Sequence, residues 1–155
     1  MKRLVILFAI AIGLCNCQQT GTVYNEHQDL SPKLEWLKKD SRIFKVPITD
    51  NSIAYNLSLS FRYVNGLEYN VVKVKVTETS PSGVQTVNEY DLKVRNEKGD
   101  YIGEFAYEIW DSKHKVESSK KYTESGNFTY EIEHNMPMDP ISSVMEIGLI
   151  LEKAE

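Results

Sequence analysis

From Ile43 to the end of the chain, apolar and polar residues mostly alternate. A period of two is the spacing of a strand with one buried face. Phe44, Val46 and Ile48 alternate with Lys45 and Pro47, and Pro47 predicts an edge position because proline cannot donate to a ladder. The clearest stretch is Tyr55 to Tyr63. There Tyr55, Leu57, Leu59, Phe61 and Tyr63 share one face, and Asn56, Ser58, Ser60 and Arg62 share the other. Asn65-Gly66 follows and reads as a two-residue hairpin turn. That turn predicts Val72, Val74 and Val76 opposite Leu59, Leu57 and Tyr55.

The pattern continues after Pro81-Ser82-Gly83. Val87 has one parity and Tyr90, Leu92 and Val94 the other, which predicts a bulge near Asn88-Glu89. Phe105, Tyr107 and Ile109 alternate with Ala106, Glu108 and Trp110. Phe128, Tyr130 and Ile132 form a further stripe, and Met145, Ile147, Leu149 and Leu151 the last. Ahead of these, Val23 to Gln28 reads as a first edge strand. Ser31-Pro32 is a capping pair that predicts one short helix near 32–38, with Trp36 packed back on a sheet. The fold class is all-β: a two-sheet antiparallel β-sandwich of about eight strands.

The first residues break this pattern. Lys2 and Arg3 precede an unbroken apolar run from Leu4 to Leu14. That run is well short of the ~20 residues that span a bilayer as a helix, so it reads as an export leader. Leu14-Cys15-Asn16-Cys17 resembles a bacterial lipobox, with a small residue before the acceptor only if Cys17 is that acceptor. The expected layout is a signal peptide over 1–16, a lipidated tether over 17–22 and one β-sandwich domain over 23–155. A diacylglycerol on the Cys17 sulfur, with a further chain on its amine, would hold the body to a membrane.

Composition narrows the function. The chain has 18 basic and 22 acidic side chains, and losing Lys2 and Arg3 with the leader makes the net charge −6. Such a surface disfavours nucleic acid as a partner. Both cysteines lie in the leader region, so the body has no thiol for a disulfide or a metal. His27, His114 and His134 fall in no ligand spacing, and no nucleophile elbow or phosphate loop is present. No catalytic, metal or cofactor site is predicted. Three side chains stand out as candidate partner-binding groups: Arg62 on the polar face of the best strand, and Tyr101 and Trp110 off the core parity. The two aromatics fit either strand packing or a platform for a sugar or a partner.

Several runs, in order, carry a family likeness. They are Val23-Tyr24-Asn25-Glu26, Trp36 with Asp40, Asn56 to Arg62, and Pro81-Ser82-Gly83. Gly99-Asp100-Tyr101-Ile102-Gly103, Tyr122 to Gly126, Asn135-Met136 and Ile147 to Lys153 follow. In these the chain resembles the GldH-type gliding-motility lipoproteins of the Bacteroidota. The resemblance implies a lipid-anchored envelope protein of the gliding apparatus, without enzymatic activity, partnered by other envelope proteins. Gln18-Gln19-Thr20 lacks the acidic run of a surface-export signal, which favours the periplasmic face of the outer membrane. The alternative is an envelope carbohydrate-binding or ligand-binding sandwich module.

Overall fold

A computed structural model describes residues 21–155. The leader, Cys15 and the lipidation candidate Cys17 lie outside the described residues. Eleven strands run in the order β1 (Thr22–Asp29), β2 (Glu35–Trp36), β3 (Arg42–Ile48), β4 (Ala54–Val64), β5 (Val71–Thr79), β6 (Gln85–Lys93), β7 (Glu104–Ala106), β8 (Ile109–Lys121), β9 (Gly126–His134), β10 (Ile141–Ser142) and β11 (Val144–Lys153). One sheet has the order β1-β11-β4-β8-β7, the other β3-β9-β5-β6, and β2 and β10 form a small ribbon. Every named pairing is antiparallel. The all-β two-sheet sandwich is the predicted class, with eight long strands and three of two or three residues.

The alternating stripes become the two inner faces. Leu57, Leu59 and Phe61 of β4 and Ile147, Leu149 and Leu151 of β11 line one sheet, all at 1% exposure or less. Phe44, Val74, Leu92, Tyr130 and Ile132 line the other and are fully buried. Burying side chains of this size contributes ~1.5–3 kcal/mol each before conformational entropy is charged against it.

The partner predicted for β4 is not the one it takes. β4 pairs with β11 and β8, whereas β5 pairs with β6 and β9 in the opposite sheet. Val72, Val74 and Val76 are inward as expected but do not share a ladder with Leu59, Leu57 and Tyr55. Asn65-Gly66 does turn the chain, with Leu67 N–H donating to Val64 O at 3.4 Å. Only Gly66 has a positive φ there, at 102°, so the turn lacks the two left-handed residues of the tight hairpin form. The buried Leu67 then carries the chain across to the second sheet.

Three smaller expectations also fail. No helix forms at 32–38: Ser31 Oγ accepts from Lys33 N, but Leu34 takes φ 57° and ends the turn after one loop. Glu35 and Trp36 pair with Ser142 and Ile141 instead. Trp36 is fully buried, as predicted, and its indole N–H donates to Asp40 O. The β5–β6 register runs without a bulge from Val71↔Lys93 to Thr79↔Gln85, and Val87 simply faces outward at 57% exposure. Residues 105–110 are not one strand but the two sides of a hairpin, and the polar stretch Lys113 to Lys121 extends β8.

The open flanks between the sheets are closed by side chains. On one flank Gln28 donates to Ile43 O at 2.8 Å, and Arg42 binds Asp40 at 2.6 Å and Asp29 O at 2.9 Å. On the other, Glu78 continues the inward stripe of β5 and meets Lys120 at 2.8 Å. Lys120 also reaches Glu117 at 2.9 Å, and Glu117 accepts from the Tyr90 hydroxyl at 2.7 Å. Tyr122 and Tyr130 join hydroxyls beside them at 2.6 Å.

Candidate functional site

The sequence-predicted side chains Arg62, Tyr101 and Trp110 all lie at one end of the five-stranded sheet, but only Tyr101 and Trp110 touch, and Arg62 is on the opposite face. They are placed there by β4, by the β6–β7 loop and by β8. Arg62, at 38% side-chain exposure, lies on the outer face between Asp111 at 2.7 Å and Glu146 at 3.2 Å. Across the sheet the register makes one row of Asp29, Glu146, Arg62, Asp111 and Glu104. Four carboxylates stand in a row with one guanidinium, which binds only Asp111 and Glu146, and Asp111 and Glu104 are directly opposite each other. Like charges in that position oppose folding slightly.

On the inner side the aromatic rings form a continuous run outward from the core. Phe61 stacks on Tyr63, with centroids 5.6 Å apart. Tyr63 meets Tyr101 at 5.6 Å, Tyr101 meets Trp110 at 5.5 Å, and Trp110 meets Phe105 at 4.6 Å. Each such contact adds ~0.5–1.5 kcal/mol to simple area burial. Tyr63 donates to Val94 O, and burial pushes its phenol up to about 12. The Tyr101 hydroxyl accepts from Gly66 N at 2.9 Å and donates to Leu67 O at 3.0 Å. Arg95 covers the Tyr101 ring at 3.7 Å. The Trp110 indole N–H donates to Asn65 Oδ1 at 2.9 Å.

The run ends in the hairpin of β7 and β8. Ala106 pairs with Ile109, so Tyr107 and Glu108 alone form the turn. Both have positive φ, 52° and 68°. This is the mirror-image turn that Asn-Gly suits, and a side-chain-bearing residue there costs ~1–2 kcal/mol. Asn65 N–H braces the turn by donating to Glu108 O at 3.1 Å. Tyr107 is 96% exposed and Phe105 56%. These two are the residues that sequence reasoning missed, having placed them on an inward stripe. The available signal was Trp110, whose parity conflicts with that of Phe105 and Tyr107, together with Gly103, which interrupts the run between Tyr101 and Phe105.

The histidines sit apart. His27 bridges Ser60 Oγ at 3.0 Å and Asn25 Oδ1 at 2.8 Å on the outer face, directly over Gly148. His114 bonds Ser112, and burial lowers its affinity for a proton. His134 is buried edge-on to Trp36, and desolvation lowers its pKa as well. Among the described residues no group of three or more His, Cys, Asp or Glu side chains is arranged to hold a metal ion.

A sequence profile described as GldH lipoprotein matches residues 22–151. The chain is 27% identical over 113 residues to the gliding motility lipoprotein GldH of Flavobacterium johnsoniae, covering 73% of this chain and 69% of that protein. It is 22% identical over 160 residues to a GldH homolog of Christiangramia forsetii, covering 97% and 96%. Among solved structures, a family GH115 4-O-methyl-α-glucuronidase aligns with 89% of this chain and 18% of its own, at 11% identity and a TM-score of 0.41. The profile spans β1 through most of β11, including every element that builds the aromatic end. The chain therefore belongs to the GldH lipoprotein family.

Proposed function

We propose that this chain is a lipid-anchored, non-enzymatic adaptor of the gliding machinery, acylated at Cys17 and held at the periplasmic face of the outer membrane. The observation that carries the reading is the family match over nearly the whole body, with relatives named as gliding motility lipoproteins. The geometry is consistent with it. β1 starts at Thr22 opposite Glu152, and Gly21 O accepts from Lys153 N at 2.7 Å, so tether and last strand leave from one end. The β7–β8 hairpin sits at the other end, beyond Val64. The eleven residues of β4 separate the two ends, and at the usual rise per residue that is about 35 Å. An anchor at one end leaves the aromatic end facing away from the bilayer.

The carbohydrate-binding reading prompted by Tyr101 and Trp110 would need an open face on those rings. Trp110 instead packs against both Tyr101 and Phe105, and Asn65 occupies its indole nitrogen. The adaptor reading is tested by deletion and complementation. A deletion strain should lose spreading over surfaces, the full chain should restore it, and Cys17→Ser should leave the membrane fraction and fail to restore it. A deletion strain that glides normally refutes the reading.

A further inference from the structure

We infer that the β7–β8 hairpin is a docking edge for an extended segment of a partner protein, one whose side chains alternate between basic and apolar. The inference rests on the adaptor reading and names the face and the partner chemistry that reading leaves open.

The edge itself is the first observation. β7 is the terminal strand of the five-stranded sheet, pairing with β8 on one side only. Its outer rim of backbone groups is therefore available to an added strand, a recurrent way for sheets to take up extended peptides. Side chains on this edge are sorted by face. Phe105 and Trp110 are cross-strand partners on the face that continues the aromatic run. Glu104 and Asp111 are partners on the opposite face, which continues the carboxylate row. An added strand would share the same two faces, so its residues would alternate to match: apolar beside Phe105, basic beside Glu104.

Charge selects the occupant. From Glu104 to Asp111 the hairpin carries three carboxylates and no basic residue. Arg62 lies among four carboxylates in its row, so the face keeps an excess of negative charge that a lysine or arginine would relieve. The same charge disfavours anionic headgroups, and the hairpin is at the end remote from Gly21, where the tether begins. A second copy would bring a like-charged hairpin to the same edge. Tyr107, 96% exposed at the tip, extends the apolar side beyond the edge.

Two probes test the inference, both on the full lipidated chain. The first is a fluorescent decapeptide alternating lysine and valine, compared with its glutamate–valine counterpart by anisotropy in detergent. The second is a photo-crosslinker in place of Ala106, with one in place of the exposed Val87 as control, in intact cells. The lysine peptide should bind at least tenfold more tightly than the glutamate one and weaken with salt. Ala106 should give a protein adduct, mapping to a segment of alternating basic and apolar residues, that Val87 does not give. Glu104→Lys with Glu108→Lys should reduce both signals at least tenfold. Tyr107→Asn with Glu108→Gly supplies the preferred turn residues, so it should melt no lower than the parent and still lose the adduct.

Equal binding of the two peptides, no binding of either together with no protein adduct, or adducts only to lipid or to a second copy would each overturn the inference. Failure here is separable from failure of the adaptor reading. If the doubly charge-reversed chain restores gliding to a deletion strain, the docking edge is wrong and the adaptor role stands. If the deletion strain glides normally, the role itself falls.

Discussion

Replacing Lys120 with Met tests how the flank between β6 and β8 is held shut. The ammonium lies 2.8 Å from Glu78 and 2.9 Å from Glu117, and the three side chains are 14%, 12% and 24% exposed. At an effective dielectric near 20, each contact supplies about 6 kcal/mol of attraction, most of it spent on stripping water from the ions. Methionine keeps the length of the aliphatic stem, so the change removes the charge with little loss of packing. Removing one partner of a buried pair costs ~3–5 kcal/mol, and the partial exposure of Glu117 puts this case near 3. For a domain of this size that is a fall in Tm of roughly 10 °C. The pH dependence separates this mechanism from simple misfolding. A carboxylate left buried and unpaired takes up a proton more readily than in the unfolded chain, so the deficit should shrink as pH falls from 7.5 to 4.5. In the parent, desolvation lowers the Lys120 pKa, but hydrogen bonds to Glu78 and Glu117 outweigh it and leave it raised. That contribution is full below the ordinary lysine value, 10.5, and is lost as pH rises through the folded-state value. Urea melts of parent, Lys120→Met and the double variant with Glu78→Gln provide the measurement, the double variant recovering ~1 kcal/mol or more. A loss below ~1 kcal/mol at pH 7.5, or the same loss at pH 4.5, would refute the reasoning.

Other outcomes follow from the same packing. Gly148→Ala would bring its Cβ within 2.6 Å of His27 Nδ1 and 2.9 Å of Glu26 O, besides crowding Ser60, so thermal melts should show a loss of ~2 kcal/mol. Trp36→Ala empties a fully buried site and should cost ~4 kcal/mol by urea titration. Burial lowers the pKa of both His114 and His134 below 6.5. The unfolded chain then takes up protons that the folded chain refuses, so stability should decline as pH drops below 6.5, and less steeply in His114→Gln. Arg62→Gln breaks a half-exposed pair with Asp111 and leaves Glu146, 14% exposed, without its guanidinium, so it should cost ~1–3 kcal/mol, read by the same melts.

Alternation was enough to assign faces but not partners. The inward sides of Tyr55–Tyr63 and of Val72–Val76 hold in the structure because burial is a property of each strand alone. A strand meeting another edge to edge and one meeting it face to face both turn their apolar sides inward. The test of matching parity therefore could not separate a hairpin from a sandwich. Two turns show the same limit. Asn65-Gly66 has the composition of a tight hairpin but crosses between sheets, because Leu67 is drawn into the core. Tyr107-Glu108 has no turn signature and makes the tight hairpin, held by the Ala106–Ile109 pair and by Asn65. The candidate site was legible in part. Trp110 stood out by breaking the parity of Phe105, Tyr107 and Ile109, and Tyr101 by lying apart from that stripe, while Phe105 and Tyr107 were hidden within it.

The attachment of β1 has a mechanical consequence. The arm formed by β1 starts at Thr22 and runs along β11 over seven residue pairs, from Thr22↔Glu152 to Asp29↔Glu146, with one register shift between Thr22 and Tyr24. A tug on that arm, resisted at the far hairpin, acts along the strands and across their hydrogen bonds. Those bonds then resist in shear, sharing the force at once, whereas a tug at right angles would unzip them one by one. Tension along the strands therefore sheds β1 less readily than tension across them.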